Sequence, residues 1–158
     1  MAEKGACDRT RRSTVYALHA MPRFPLPREL DRFLARANPA VVATIRPDGS
    51  PHSVATWYDW KGGRIMLNMD ARRVRLEHIR RDPRVALTVL DRDDWNEHVS
   101  LLGRIVELKD DYTLEDIDRL AMRYTGRGFS RRDRARVSAW MVPERWHGWG
   151  ASGNLVPR

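Results

Sequence analysis

Two closely spaced turn signals restrict this chain more than any other feature. Pro47-Asp48-Gly49-Ser50 and Lys61-Gly62-Gly63 both carry glycine where a tight reversal favours positive φ. They separate three runs of strand character: Ala40 to Arg46, Pro51 to Trp60, and Arg64 to Met69. The middle run alternates, with Val54, Thr56, Tyr58 and Trp60 on one face and Ser53, Ala55, Trp57 and Asp59 on the other. Strands joined by turns this short pair antiparallel.

The spacing predicts a helix between the third strand and a fourth at Val85 to Leu90. It opens just after Asp70, which is placed to cap it, and closes at Asp82-Pro83. The fourth strand is apolar on both faces, as in a barrel wall whose outer side is also covered. A long strand follows from about Glu97 to Leu108, with Gly103 at a natural bulge position. Thr113 to Tyr124 reads as a helix capped by Thr113, with Leu114, Ile117, Leu120 and Ala121 as its apolar stripe. A basic link, Thr125 to Arg136, leads to a last strand, Val137 to Met141, which Pro143 interrupts and Arg145 to Trp149 resumes. Upstream, Leu30, Phe33, Leu34 and Ala37 give a helix over Arg28 to Ala37, ended by Asn38-Pro39. The fold class is therefore α+β: six or seven mostly antiparallel strands with a few flanking helices, forming a small closed or split β-barrel. Such a barrel has little interior room, so a sizeable ligand sits at its rim or between two protomers.

A chain of 158 residues is one domain by length, placed here at residues 28–150. Residues 1–27 read as a basic, partly disordered arm. Residues 151–158 read as a tail, and Leu155-Val156-Pro157-Arg158 matches the residual half of a thrombin site left by an expression tag. One cysteine, Cys7, gives no disulfide framework, and five scattered histidines lack metal-ligand spacing, so no metal site is expected. With no apolar run long enough to span a bilayer and no apolar signal core, a cytoplasmic protein without a membrane role is expected.

The net charge of +8 is almost wholly arginine, since only Lys4, Lys61 and Lys109 are lysine. GC-rich coding produces such a bias, but the field still attracts polyanions: nucleic acid, a phosphorylated cofactor or a polyglutamate tail. The clearest candidate site is the helix start, where Arg72, Arg73 and Arg75 crowd the first turns. Unpaired N–H groups and the dipole favour an anion there, and guanidinium groups add donors matched to phosphate. The same residues also fit an ordinary capped helix with a solvated basic face, and spacing does not choose between them.

The order of these elements resembles the pyridoxamine-phosphate-oxidase-like, flavin-binding split β-barrel superfamily, and within it the actinobacterial branch that uses the deazaflavin coenzyme F-420. The carriers are the segment Val42 to Pro51, then Ser53 to Tyr58, then Arg73-Val74-Arg75 with Leu76 and Ile79, then Arg80 to Arg84, and Trp95. The resemblance implies a homodimer with two cofactor sites at the subunit interface. It implies that the pair Arg73 and Arg75 holds the cofactor phosphate, with Val74 between them also in the cofactor site, and that Ser53, Val54, Ala55, Thr56 and Trp57 line the ring. Asn68 and Met69 would pass the ribityl chain, Trp95 would come from the other subunit, and Trp149 would approach the ring. The end of the chain, Pro143 to Gly150, lacks the arginine-rich motif that holds the substrate of true pyridoxamine phosphate oxidases. Position 75 is Arg where many relatives have Lys, which keeps the charge and changes the geometry.

The resemblance implies hydride transfer between reduced F-420 and a small organic substrate, with FMN as the alternative cofactor. A non-catalytic cofactor carrier is a second class, because fold does not determine activity. A nucleic-acid binder is a third; it is disfavoured because the arginines gather at a helix start and not along an aromatic-studded strand. No nucleophile triad is present, and the catalytic residue is left open; Tyr58, His52 or water could supply a proton. Among the tryptophans, Trp57 and Trp149 are placed at the ring ahead of Trp60 and Trp146. Arg80, Arg81 and Arg84, or the Arg127 to Arg136 cluster, are candidates to hold the acidic tail of F-420.

Overall fold

The computed structural model describes residues 25–150, so the expectations for most of the arm and for the 151–158 tail fall outside it. Its elements in chain order are α1 (Arg28–Leu34), β1 (Ala40–Ile45), β2 (Pro51–Thr56), β3 (Asp59–Lys61), β4 (Arg64–Asp70), α2 (Val74–Arg81), β5 (Arg84–Leu90), β6 (His98–Asp110), α3 (Glu115–Thr125) and β7 (Arg136–Trp149). Every strand pairing is antiparallel, and the sheet order is β2-β1-β5-β6-β7-β4-β3. The two edges of this sheet, β2 and β3, are consecutive in the chain and separated only by Trp57 and Tyr58. The sheet therefore curls until its edges nearly meet, as the α+β split barrel expected from the sequence.

One apolar cluster fills the barrel, with Val42, Ile65, Leu67, Leu87, Leu101 and Met141 from five different strands in contact. Helices α1 and α2 bury Leu30, Phe33, Leu34, Leu76 and Ile79 in the same cluster. They sit at opposite ends of β1. Asn38, just after α1, leads into Ala40, while Arg81 of α2 donates to the carbonyl oxygens of Ile45 and Arg46. Leu26, assigned by sequence to the arm, packs against this core.

On β4, alternation divides the side chains between two layers. Ile65, Leu67 and Met69 face the barrel interior, while Met66 faces outward into a second cluster with Ile117 and Leu120 of α3. Thus α3 covers the outside of β4, and Trp57, Tyr124, Phe129 and Trp140 fill in around it.

Several elements differ from the sequence expectation. The Pro51–Trp60 run is two strands: Tyr58 turns fully inward, and its hydroxyl lies 2.9 Å from the Leu34 carbonyl and 3.0 Å from that of Arg36. The arginine helix starts at Val74, so Arg72 and Arg73 precede it, and Asp70 does not cap it. Asp70 ends β4 and accepts the Arg72 N–H at 2.9 Å while pairing with Arg134 at 3.1 Å. Thr113 is not the cap of α3. Buried Asp111 does that work, accepting the N–H groups of Asp116 at 3.2 Å and Ile117 at 3.0 Å. Leu114, beside it, takes a left-handed φ of 62°. The outer face of β5 is only half-buried within this chain, at Ala86, Thr88 and Leu90.

Pro143 bends the last strand without breaking it. The register slips between Leu102/Gly103, where Arg145 and Pro143 are successive partners, so Glu144 bulges out. Gly103 makes this possible: a Cβ there would overlap the Val142 carbonyl oxygen and lie 2.9 Å from the Cα of Pro143. Gly103→Ala is expected to cost about 2–3 kcal/mol through overpacking of backbone that cannot yield, measured as a lower midpoint in urea unfolding.

Candidate functional site

The site begins at the free edge of β2. The Arg46 N–H donates to the Ser50 carbonyl, so hydrogen-bonded pairs continue at Thr44 with His52 and Val42 with Val54. The backbone groups of Ser53 and Ala55 therefore point off the sheet edge, where no strand of the described residues pairs with them.

Facing this edge is a cavity of about 230 Å³ lined by His52, Val54, Ala55, Arg73, Val74 and Arg75. Neither Arg73 nor Arg75 has a carboxylate partner among the described residues. The Arg75 Nε is buried with no hydrogen-bond partner among the described residues, as is His52 Nδ1. Burial lowers the Arg75 pKa, and the like charges of Arg73 and Arg136 lower it further. Burial is also the main reason the His52 pKa lies below its ordinary value, with Arg46, His78 and Arg75 adding to the effect. Arg73 is exposed and Arg75 half-buried, and like charges held this close repel, so an anion taken up between them is favoured.

Ala55 also lines a larger cavity of about 510 Å³, so the two spaces adjoin along β2. That volume lies in the usual range for cofactor clefts. Its walls include Thr56, Trp57, Asn68, Tyr124, Phe129, Arg92 and Arg136. Trp57 stacks on Tyr124 at 5.4 Å between centroids and 9° between planes, giving one flat aromatic wall. The Tyr124 hydroxyl donates to the Asn38 carbonyl at 2.8 Å and receives the Tyr58 N–H at 3.3 Å, which fixes that wall to the barrel rim.

The structure thus brings together Val54, Ala55, Thr56, Trp57, Asn68, Arg73, Val74 and Arg75 from the sequence expectation, with Ser53 on the adjoining edge. Met69 does not join them. It is 1% exposed in the barrel core, because neighbours on a strand face opposite ways and Asn68 takes the outer side. Trp95 and Trp149 line neither cavity; both are exposed, and Trp149 stacks on His147 at 6.5 Å. Trp60 donates its indole N–H to Asp31 at 2.7 Å, and Trp146 is in the core. Tyr58 is no proton donor to a ligand. Its hydroxyl is buried on backbone carbonyls, and burial raises its pKa well above the ordinary phenol value.

Of the arginines considered for an acidic tail, Arg84 is bound to Asp82, Arg132 to Asp118 and Arg134 to Asp70. Arg81 donates to backbone carbonyls. Arg80, Arg127 and Arg131 are exposed and have no carboxylate partner among the described residues. Sequence reasoning missed Arg136 as a separate site residue, because in the chain it is one more arginine of a basic link. Among the described residues there is no group of three side chains suited to a metal ion, and no helix is long and apolar enough to cross a membrane.

The residues present fit a phosphorylated, flat-ringed cofactor: an uncompensated arginine pair, a strand edge offering backbone groups, and an aromatic-walled cleft in sequence. Comparison with known proteins agrees. No curated protein sequence matches the chain. Among solved structures, an F-420 reductase is 26% identical with a TM-score of 0.71, the match covering 77% of this chain and 98% of that one. A conserved hypothetical protein from Mycobacterium tuberculosis is also 26% identical, with a TM-score of 0.62 over 86% of this chain and 91% of its own. General stress protein 26 from Bacillus anthracis shares the fold, at 17% identity and a TM-score of 0.56 over 77% and 92% of the two chains. The sequence profile of pyridoxamine 5'-phosphate oxidase matches residues 26–150. With that match spanning nearly all of the described barrel, the chain belongs to the pyridoxamine 5'-phosphate oxidase family of flavin-binding split barrels.

Proposed function

We propose that this protein is an F-420-dependent oxidoreductase that passes a hydride between the reduced deazaflavin and a small organic substrate. The observation that carries the proposal is the continuity of the cleft: the unpaired Arg73 and Arg75 adjoin the Trp57–Tyr124 wall through Ala55. Arg73 and Arg75 bind the cofactor phosphate, and the free edge at Ser53 and Ala55 holds polar groups of the ring by backbone hydrogen bonds. Trp57, backed by Tyr124, orients the ring and keeps water from one side of it. When bound, the cofactor supplies the hydride chemistry. The exposed Arg127 and Arg131 give the acidic tail of F-420 a cationic path that FMN does not use.

The likeness to an F-420 reductase over 98% of that chain supports this choice of cofactor. FMN is the alternative, in keeping with the family as a whole. A homodimer with sites at its seam belongs to the proposal. It is supported by the half-buried outer face of β1 and β5, where a groove of about 380 Å³ is lined by Ala43, Ile45, Ala86 and Leu102. A second copy laid there would cover the face that this chain leaves open.

Titration of the purified protein with F-420 and FMN in parallel, read by cofactor fluorescence, tests the proposal. F-420 is expected to bind at least about tenfold more tightly, a difference of about 1.4 kcal/mol. Preference for FMN transfers the function to a flavoprotein. Binding of neither cofactor, with salt-sensitive binding of DNA in their place, overturns it.

A further inference from the structure

Arg136 stands apart from the other arginines of the cleft because a buried side-chain amide, and not a carboxylate or a backbone carbonyl, fixes it in place. Its Nε donates to Asn68 Oδ1 at 2.5 Å, and its guanidinium lies 4.6 Å from the centre of the Phe129 ring. Asn68 cannot turn away. Its Nδ2 donates to Asp111 at 2.9 Å and to the Ser138 hydroxyl at 3.0 Å, which leaves Oδ1 for Arg136 alone. Ser138 in turn donates to Asp116 at 2.7 Å. A chain of buried polar contacts thus orients one guanidinium, while its terminal nitrogens bond to no described residue.

Arg136 lines the flat-walled cavity, and its charge is felt at Arg75 in the smaller one. Asp70 and Asp111 act on it from a distance, without an ion pair, and Arg73 opposes them. Half-buried and lacking a counter-ion within contact, such a group interacts more strongly with a ligand charge than one in open water. Its place is beside the cleft proposed for the ring, whereas Arg73 and Arg75 serve the phosphate end.

Resting on the F-420 or FMN reading above, we propose that Arg136 is the specificity-determining cation of the ring cleft, holding the negative charge that hydride uptake leaves there. A hydride brings two electrons and one proton into the ring, so the ring gains one negative charge unless a second proton follows. A cation held rigidly at the cleft favours that reduced form over the oxidised one, and Asn68 is the positioning residue that keeps it aimed.

The test compares wild type, Arg136→Gln and Arg136→Lys by their dissociation constants for oxidised and chemically reduced FMN and F-420, and by the midpoint potential of the bound cofactor. Arg136→Gln is expected to lose about tenfold in affinity for the reduced form and under threefold for the oxidised form. Losses that differ by about three- to tenfold lower the bound two-electron potential by about 15–30 mV. Arg136→Lys restores most of the preference. Equal loss for both forms assigns Arg136 to phosphate binding or to structure and overturns the inference, as does no loss at all. If the wild-type protein binds neither cofactor, the functional reading falls and this one with it. Binding with no redox preference removes the inference alone.

Discussion

Alanine at both Arg73 and Arg75 is expected to weaken cofactor binding by about a thousandfold while leaving the melting temperature unchanged or slightly higher. The two outcomes have one cause. Neither guanidinium has a carboxylate partner among the described residues, and one of them keeps a buried nitrogen without any acceptor. The pair therefore contributes repulsion to the empty protein and attraction only to a ligand. Each charge-assisted contact to phosphate is worth about 1.5–3 kcal/mol, so losing two removes about 3–6 kcal/mol of binding. Fluorescence titration and thermal melts on the same sample measure both quantities. A fall of several degrees with binding intact would show that the pair serves the fold. Arg75→Lys is expected to fall between the two extremes, since lysine keeps the charge and loses the fork geometry.

Asp111→Ala is expected to be the most destabilising single change, at about 3–5 kcal/mol. This carboxylate, 6% exposed, accepts two N–H groups at the start of α3 and the side-chain amide of Asn68 at 2.9 Å. Alanine leaves the two N–H groups of α3 and one of the two Asn68 amide hydrogens without an acceptor, at about 1–3 kcal/mol for a buried donor and less for the part-buried Asp116 N–H. A drop of about 10 °C in melting temperature is the measurable consequence. The effect also reaches the cleft, because α3 carries Tyr124 and Asn68 loses the contact that sets its orientation. A variant that melts within about 2 °C of wild type would mean that α3 is held by its apolar stripe alone.

The hairpins and the apolar helix stripes were legible in the sequence because turn chemistry and periodicity are local. Gly49, Gly62 and Gly63 all take positive φ at the turns, and Leu76 and Ile79 are buried as a helix face requires. Three features were not legible, each for a long-range reason. Trp57 and Tyr58 continue the alternation of β2, yet the chain leaves the sheet there because Tyr58 is drawn onto the carbonyls of Leu34 and Arg36, at and just past the end of α1. The α3 cap comes from Asp111, which also answers to Asn68 far away in the chain. Arg136 looked like any other arginine of its link until Asn68 and Phe129 singled it out. In the candidate site, the arginines that line the smaller cavity stand together in the chain, in a motif at a helix start. Asn68 lines the cleft while Met69 lies in the core, because a resemblance matches a segment whereas a strand sends adjacent residues to opposite sides.

The open margin of β2 has a consequence for how this protein behaves in concentrated solution. A strand with unsatisfied amides along one side invites another chain to zip onto it and seed polymers. Here that margin starts at Pro51, which has no hydrogen to donate, and runs past two repelling guanidinium groups. An incoming peptide meets a gap and then a charge barrier, whereas a compact anion meets a welcome. The same stretch of backbone thus resists strand-on-strand pairing with a passing chain and admits a small guest.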